Sequence, residues 1–458
     1  MVNRGRPSKD CAPCRKRKLR CDLHRPQCGQ CQRAHLSCFG YRNPQDLIFH
    51  DQTPSIRAKA QRSIPKPPRP SWTIIARHDF LTHYVSGLSR SYDMLGPLYK
   101  ATRQGSHLDV SVDAASLAFM AVRHSNASNL LHLAAERYVT ALQLVNKALT
   151  TPHQAVGDDT LLAVLLLDLY EKLVCRDAHS ATSWLRHMKG AIALIELRGE
   201  KNLSTDIGRR LAQRLYTCLV ISCGVAGVRV PPELDYLKQS LDSYEQDPKW
   251  GVTTLNVHAI NLVTDINEMD PGEIVVQATR LDDQFRQLQA SLPPKWHPKR
   301  ILRHESALTD QFIHGDGYDV YDNLFYTQVW NVIRIMRIHL HILTQQHSPS
   351  LEAQTQCTQF IETSINEICA SATQFLTPDT TSKGFSLPQS LQCYTLLPPL
   401  YLAASVSRTP STRTWVLSTL QYMAQGGLEM AHRTAQLLQT PTTFWDLYAQ
   451  LGSYAFAA

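Results

Sequence analysis

Beyond Ser71 the chain places apolar residues every three to four positions. Leu131, Ala135, Tyr138, Leu142, Val145 and Leu149 step in this way, as do Val329, Ile333, Met336, Leu340 and Leu343, and then Ile361, Ile365, Ile368, Ala372 and Phe375. A repeat near 3.6 residues puts an apolar stripe on one side of a helix, so a helix is predicted at each run. The period-two alternation of half-buried strands does not stand out. Breakers fall at Pro152, Gly157, Gly199, Pro231-Pro232, Pro271, Pro293-Pro294, Gly315 and Gly317, Pro378 and Pro410. Helices of this length joined by loops stack most economically as antiparallel neighbours. The predicted fold class is mainly α, with a large all-α body over residues 71–458. No run reaches the ~18 consecutive apolar residues of a membrane helix, and the best candidate, Leu161 to Leu167, is broken by Asp168. No membrane partner is expected.

The first forty residues follow a different rule. They hold Cys11, Cys14, Cys21, Cys28, Cys31 and Cys38, spaced C-x2-C-x6-C and then the same again. Between the second and third lies Arg15-Lys16-Arg17-Lys18-Leu19-Arg20, basic at five of six positions. Zinc prefers four ligands in a tetrahedron and binds thiolate well. Six thiolates complete two such sites only if two sulfurs bridge, and the repeat nominates Cys11 and Cys28, the first cysteine of each half. Cys14 and Cys21 then complete one ion, Cys31 and Cys38 the other. So short a segment buries no core, and metal binding supplies its folding free energy, ~10–16 kcal/mol per structural zinc in peptides.

Other readings of these cysteines fit less well. A disulfide framework belongs to secreted domains, yet no apolar signal segment precedes Cys11. A single-zinc finger on Cys11, Cys14, Cys28 and Cys31 leaves Cys21 and Cys38 unexplained, although the repeat includes them. His24 and His35 read as solvated, since six thiolates suffice. The basic run also suits nuclear import, a role compatible with binding a polyanion.

The segment resembles the fungal six-cysteine binuclear zinc cluster of transcription regulators. The basic run after Cys14, Asp22 after the third cysteine and Pro26 before the fourth all match. The resemblance implies two Zn2+ per chain, double-stranded DNA and the transcription machinery as partners, and a nuclear location. It implies that the short helix after Cys14 enters the major groove and reads a CGG-type triplet. Lys18 is the matching base reader, with Arg17 as its neighbour, and Arg15, Lys16 and Arg20 fit phosphate contacts. Lysine or arginine donates to guanine O6 and N7. Two stretches of the body extend the likeness. Trp184 to Ala191, ending at Arg198-Gly199, is similar to a W-x2-H-x2-G-A…R-G helix of the family's regulatory domain. Trp330-Asn331 with Arg334 and Arg337 is similar to a W-N-x2-R-x2-R helix. The tryptophans read as core anchors, and Gly190 as a point of close helix packing.

Charge divides along the same line. Residues 1–70 carry 16 Lys and Arg against 4 Asp, whereas residues 71–458 carry 31 basic and 35 acidic residues. The positive field belongs to the N-terminal segment, where it attracts DNA. The expected layout is a basic tail over 1–10, the cluster over 11–38, a Pro-rich basic linker over 39–70 and the helical regulatory domain over 71–458. Arg4-Gly5-Arg6-Pro7 in the tail resembles an AT-hook core; as a plain basic tail it still adds phosphate contacts. Pro44, Pro54, Pro65, Pro67, Pro68 and Pro70 forbid a continuous helix in the linker, and Arg62 to Pro70 is expected to be extended. No heptads occur between Gly40 and Trp72, so a homodimer would form through the helical body.

Catalytic motifs are missing. The body has no phosphate loop, no H-E-x-x-H and no G-x-S-x-G. Asp158-Asp159 lacks the third carboxylate of a diphosphate-binding D-D-x-x-D run, and Asp282-Asp283 has Arg286 in its place. The first pair reads as a helix N-cap, the second as a solvated helix face. His339 and His341 fall on different faces of one helix. Cys175, Cys218, Cys223, Cys357, Cys369 and Cys393 read as buried free thiols. The expectation is a non-enzymatic, DNA-binding transcription regulator. The alternatives are a nuclear interaction protein that recruits partners through its cluster, and a helical enzyme with an appended zinc module.

Overall fold

The computed structural model describes residues 8–41, then Thr53, Ile56, Arg57 and Lys59, then 71–451 apart from 88–91, 124–127, 175–179, 200, 245–246, 307, 378–383 and 441–442. Side chains at 180–188, 201, 202, 446, 448, 449 and 451 are likewise outside the description. Two units separate after Pro70. The Arg4–Pro7 tail, the extended reading of Arg62 to Pro70 and Cys175 lie outside the described residues. The four described linker positions are helical.

The N-terminal unit contains α1 (Ala12–Lys16) and α2 (Gly29–Arg33). The second unit begins with α3 (Trp72–Asp79), α4 (Leu95–Lys100), α5 (His107–Ala121), α6 (Ser128–Leu149), α7 (Pro152–Ala155), α8 (Asp158–Val174), α9 (Ser180–Arg198), α10 (Lys201–Ser204) and α11 (Asp206–Ala226). It continues with α12 (Leu234–Asp242), α13 (Pro248–Asp265), α14 (Pro271–Ala290), a hairpin of β1 (Lys299–Leu302) and β2 (Gly317–Val320), α15 (Leu324–His347), α16 (Leu351–Leu376), α17 (Leu387–Val406), α18 (Pro410–Gln425), α19 (Glu429–Leu437) and α20 (Phe444–Leu451). The breakers mark boundaries as their chemistry requires. Pro152, Pro271 and Pro410 each open a helix, where proline's missing N–H costs nothing. Ser106, Thr205, Asp247 and Ser350 cap the helices that follow them by accepting backbone N–H groups, which satisfies donors the helix leaves open.

The core is one contiguous apolar cluster running from α3 to α20. Helices α5, α8 and α17 are buried on nearly all sides, which is why their sequences are apolar with little periodicity. Several polar groups inside are paired, although Arg214 Nε and Asn256 Oδ1 are buried without a hydrogen-bond partner. The Arg77 guanidinium meets the Asp109 carboxylate at 3.0 Å and also bonds Asp113.

Several expectations change. In α6 the buried face is Leu130, Ala134, Ala141, Val145 and Ala148, while Leu131, Ala135 and Leu149 are exposed. Of the predicted stripe, Val145 is buried and Tyr138 and Leu142 pack against the core, while the closest seam turns toward Ala134, Ala141 and Ala148, whose small side chains let α5 approach. The hairpin was not anticipated. Its strands have four residues each and pair antiparallel, Arg300 with Asp319 and Leu302 with Gly317, too short to show a period of two. A Cβ at Gly317 would lie 2.3 Å from the Ile301 carbonyl oxygen. Gly190 is exposed with open space around it, so it serves no close packing. Asp158 and Asp159 lie inside the first turn of α8 after Gly157, not at its cap. Asp158 pairs with Arg198 there, and Asp159 with His107 at 3.3 Å.

The two family-like helices have structural tasks. Arg198, only 3 % exposed, donates to the carbonyls of Val156 and Gly157, and Gly199 ends α9 at φ 52°. The Trp330 indole donates to the Trp296 carbonyl at 2.8 Å, Asn331 donates to Ser371 at 3.0 Å, and Arg334 bonds Glu367 at 2.9 Å. Trp330 is thus a core anchor, as its sequence suggested; the Trp184 side chain lies outside the described residues.

Candidate metal centre and nucleic-acid interface

Helices α1 and α2 are five residues each, too short to persist alone in water. Each begins at the first cysteine of a half-repeat. Cys11 and Cys28 sit at the two N-cap positions with extended backbones, and Cys28 Sγ accepts the Cys31 N–H at 3.3 Å. Each helix also ends alike. Lys18 and His35 take φ of 52° and 51°, after which Leu19 N–H bonds the Cys14 carbonyl at 3.0 Å and Leu36 N–H the Cys31 carbonyl at 2.9 Å. The sequence repeat is therefore a repeat of backbone conformation.

This geometry gathers all six thiols into two overlapping groups. One is Cys11, Cys14, Cys21 and Cys28, the other Cys11, Cys28, Cys31 and Cys38, with the sulfurs of each group within 4.8 Å of one another. Cys11 Sγ lies 3.7 Å from Cys28 Sγ and 3.6 Å from Cys31 Sγ, and Cys14 Sγ lies 3.7 Å from Cys28 Sγ. A disulfide needs about 2.05 Å. Sulfurs at tetrahedral corners about 2.3 Å from zinc are about 3.8 Å apart. The donor set fits zinc and excludes disulfides among these six. Cys11 and Cys28 belong to both groups; His24 and His35 are exposed and belong to neither. The thiols also compete to ionise. Burial opposes it at Cys28, but the Cys31 N–H and the neighbouring thiols bring that thiol down to about 6. Burial and then Cys28 push Cys31 up to about 12. Cations between the sulfurs relieve such competition.

The two halves are laced by Asp22, which the sequence marked, and by groups it did not. The Asp22 carboxylate accepts the Gly29 N–H at 2.9 Å, and a Cβ at Gly29 would lie 2.5 Å from Asp22 Oδ2. Gln27 donates to the Leu36 carbonyl at 2.8 Å, and the Tyr41 hydroxyl donates to the His24 carbonyl. A glycine opening a helix is the only trace of the others. Beside the sulfurs, Lys16, Arg17, Lys18 and Arg20 are exposed, with no ion-pair partner among the described residues. Arg15 differs, being half-buried with Nη1 donating to the Asp10 carbonyl at 3.1 Å.

The body offers no comparable chemistry at its acidic pairs. Asp283 is solvated and bonds Arg286 at 2.7 Å. Asp282 is not a solvated residue. Its carboxylate receives Arg337 Nε at 2.7 Å and Nη2 at 3.0 Å, and His341 lies 3.3 Å away. The reason is that α15 packs on this face of α14. His341 Nδ1 in turn lies 3.4 Å from Cys357 Sγ. The Cys357 thiol is only 4 % exposed, and burial followed by the Asp282 charge pushes it up, so it presents no nucleophile. His339 faces elsewhere, on the Ile335 carbonyl. Cys218, Cys223, Cys357, Cys369 and Cys393 are buried free thiols. Among the described residues no helix is long and apolar enough to cross a membrane.

Residues 9–47 match the Fungal Zn(2)-Cys(6) binuclear cluster domain, and residues 110–440 match the Fungal specific transcription factor domain. No curated protein and no solved structure matches the chain. Six clustered thiolates hold two Zn2+ in a domain of a DNA-binding family, on a chain whose body matches a transcription factor domain and not a catalytic one. The chain belongs to the fungal transcription factors that carry a Zn(2)-Cys(6) binuclear cluster together with the fungal-specific transcription factor domain.

Proposed function

We propose that this regulator reads a CGG-type triplet from the turn that ends α1. Lys18 donates to guanine O6 and N7 with Arg17 beside it, while Lys16 and Arg20 hold phosphates. Arg15 reaches phosphate through the part of its guanidinium that Asp10 leaves open. The observation carrying this reading is the exposure of Lys18 at φ 52° immediately beyond the thiolate cage. The cage fixes the turn, and the turn fixes where the ammonium points. Cys11 and Cys28 act as bridging ligands, Cys14 and Cys21 complete one ion, and Cys31 and Cys38 the other.

The proposed division is a basic tail over 1–10, the cluster over 11–38, a linker over 39–70 and the regulatory body over 71–458. The separation of two units after Pro70 supports it. The protein acts in the nucleus, pairs through its helical body and hands its signal to the transcription machinery. Selection of bound sequences from random duplexes by the full-length, zinc-loaded protein tests the reading. Enrichment of CGG triplets is expected; enriched sites lacking a G·C-rich triplet, or no enrichment at all, would overturn it.

A further inference from the structure

Two chambers meet inside the helical body between α11, α13 and α15. The first, about 110 Å³, is walled by Val220, Val252, Val329, Val332, Met336 and Trp445. The second, about 290 Å³, contains Arg214, Lys249, Arg210, Asp93 and Asp247. They share Thr217, Lys249, Thr253 and Phe325, so they are one space with an apolar and a polar end.

The charges at the polar end are unbalanced. Arg214 is 5 % exposed and stacks on Tyr92 at 4.6 Å, but its Nε has no hydrogen-bond partner and no carboxylate reaches it among the described residues. Lys249, half-buried, has the Phe325 ring at 5.4 Å and likewise no carboxylate partner among them. The two rim acids are committed elsewhere. Asp93 pairs with Arg210, and Asp247 caps the Trp250 N–H at 3.2 Å. Burial, and then the neighbouring Arg214, push the Lys249 ammonium down to about 8. A buried cation without a counter-charge is costly; Arg214 is one, and the half-buried Lys249, on which the Asp247 charge acts without forming an ion pair, faces the same space. In the wall of the first chamber the side-chain oxygen of Asn256 is also buried without a partner.

We propose that this space binds a small organic monocarboxylate, its carboxylate between Arg214 and Lys249 and its apolar body in the first chamber. Arginine's fork and a lysine point charge together suit a carboxylate. The rim acids Asp93 and Asp247 disfavour a dianion. An apolar cavity of about 150 Å³ holds benzene; the first chamber, about 110 Å³, is smaller, so it takes a short branched chain, or a ring that extends into the adjoining 290 Å³, and excludes a long acyl tail. That such an acid acts as an effector rests on the reading of the chain as a transcription regulator; the binding itself does not.

Calorimetric titration of the full-length protein with benzoate, 4-methylpentanoate, benzamide and phenyl phosphate tests this. The two carboxylates are expected to bind at a single site, about tenfold or more tighter than the neutral amide. Arg214→Gln and Lys249→Met each weaken them by about tenfold or more, and Val332→Trp, which fills the apolar chamber, abolishes binding. Lys249→Met retains the aliphatic stem at a half-buried position and carries the test if Arg214→Gln does not fold. Absence of carboxylate binding, equal binding of benzamide, unchanged binding by Lys249→Met, or a preference for phenyl phosphate would each overturn the assignment. Binding of a CGG duplex, measured on the same samples, shows separately whether the reading of the cluster survives.

Discussion

Lys18 stands where the backbone would favour glycine. At φ 52° a side chain costs about 1 kcal/mol or more, and His35 carries the same cost at the equivalent place in the second half. Only the first half has the basic run, so the turn displays a cation in one repeat and an imidazole in the other. Lys18→Ala is expected to lose ~1–3 kcal/mol of discrimination at one G·C pair. Arg20→Ala should weaken all duplexes alike and lower the salt slope by about one. Binding isotherms on CGG and scrambled duplexes at several salt concentrations check this; equal shifts on both duplexes for Lys18→Ala would remove it as base reader. The sulfurs differ in a related way. Cys11 belongs to both quartets and Cys14 to one, so Cys11→Ala should release more zinc than Cys14→Ala, read by metal analysis after dialysis.

At the scale of elements, the two units are held by different forces. Helices α1 and α2 enclose a core of cysteine sulfur with Tyr41 against it, so a strong chelator should unfold residues 8–41 and leave the body intact. All seven tryptophans lie beyond residue 71, which makes their fluorescence a report on the body alone; a change in it on chelation would tell against the separation. The α14–α15 junction makes a further test. Burial works against ionising Asp282, but His341 and Arg337 hold its carboxyl down to about 2. Its folded value lies below the unfolded one, so the stabilisation is present above about pH 4 and lost as pH falls toward 2, on the order of 2 kcal/mol. Asp282→Asn should flatten that part of the acid unfolding curve. The sequence carried the thiolate cage almost completely, because a metal site is written in spacing and ligand type. It carried α15 and α16 because their stripes are made of large apolar residues. It placed only part of the α6 face, finding Tyr138, Leu142 and Val145 but missing the seam of Ala134, Ala141 and Ala148, and it hid Asp282, whose partners lie 55 and 59 positions along the chain. Nothing local distinguishes Asp282 from its solvated neighbour Asp283.

At the scale of the whole molecule, charge and information pull the same way. The first 70 residues hold the positive excess, the remainder is slightly acidic, and the units separate after Pro70. A cluster that reads about three base pairs, as its family resemblance implies, faces ~10⁶–10⁹ competing sites. A second reader multiplies that information, and linking two readers raises the local concentration of the second to roughly millimolar without any new DNA contact. The stretch after the cluster does not supply the link through a long coiled coil, since prolines from Pro44 to Pro70 interrupt any sustained heptad pattern. The proposed pairing element is thus the helical body. Full-length protein is therefore expected to sediment as a dimer, and residues 1–70 as a monomer. On duplexes with two CGG triplets, full-length protein should bind as a dimer across a range of triplet spacings, because Pro44, Pro54, Pro65, Pro67, Pro68 and Pro70 interrupt any long helix in the sequence between the units. A full-length monomer that binds a one-triplet duplex with one protein per duplex would refute pairing through the body. The specificity would then have to come from the basic residues Arg4 to Lys9 lying in the groove beside a single triplet, and deleting them would abolish discrimination in the monomer while sparing it in a dimer.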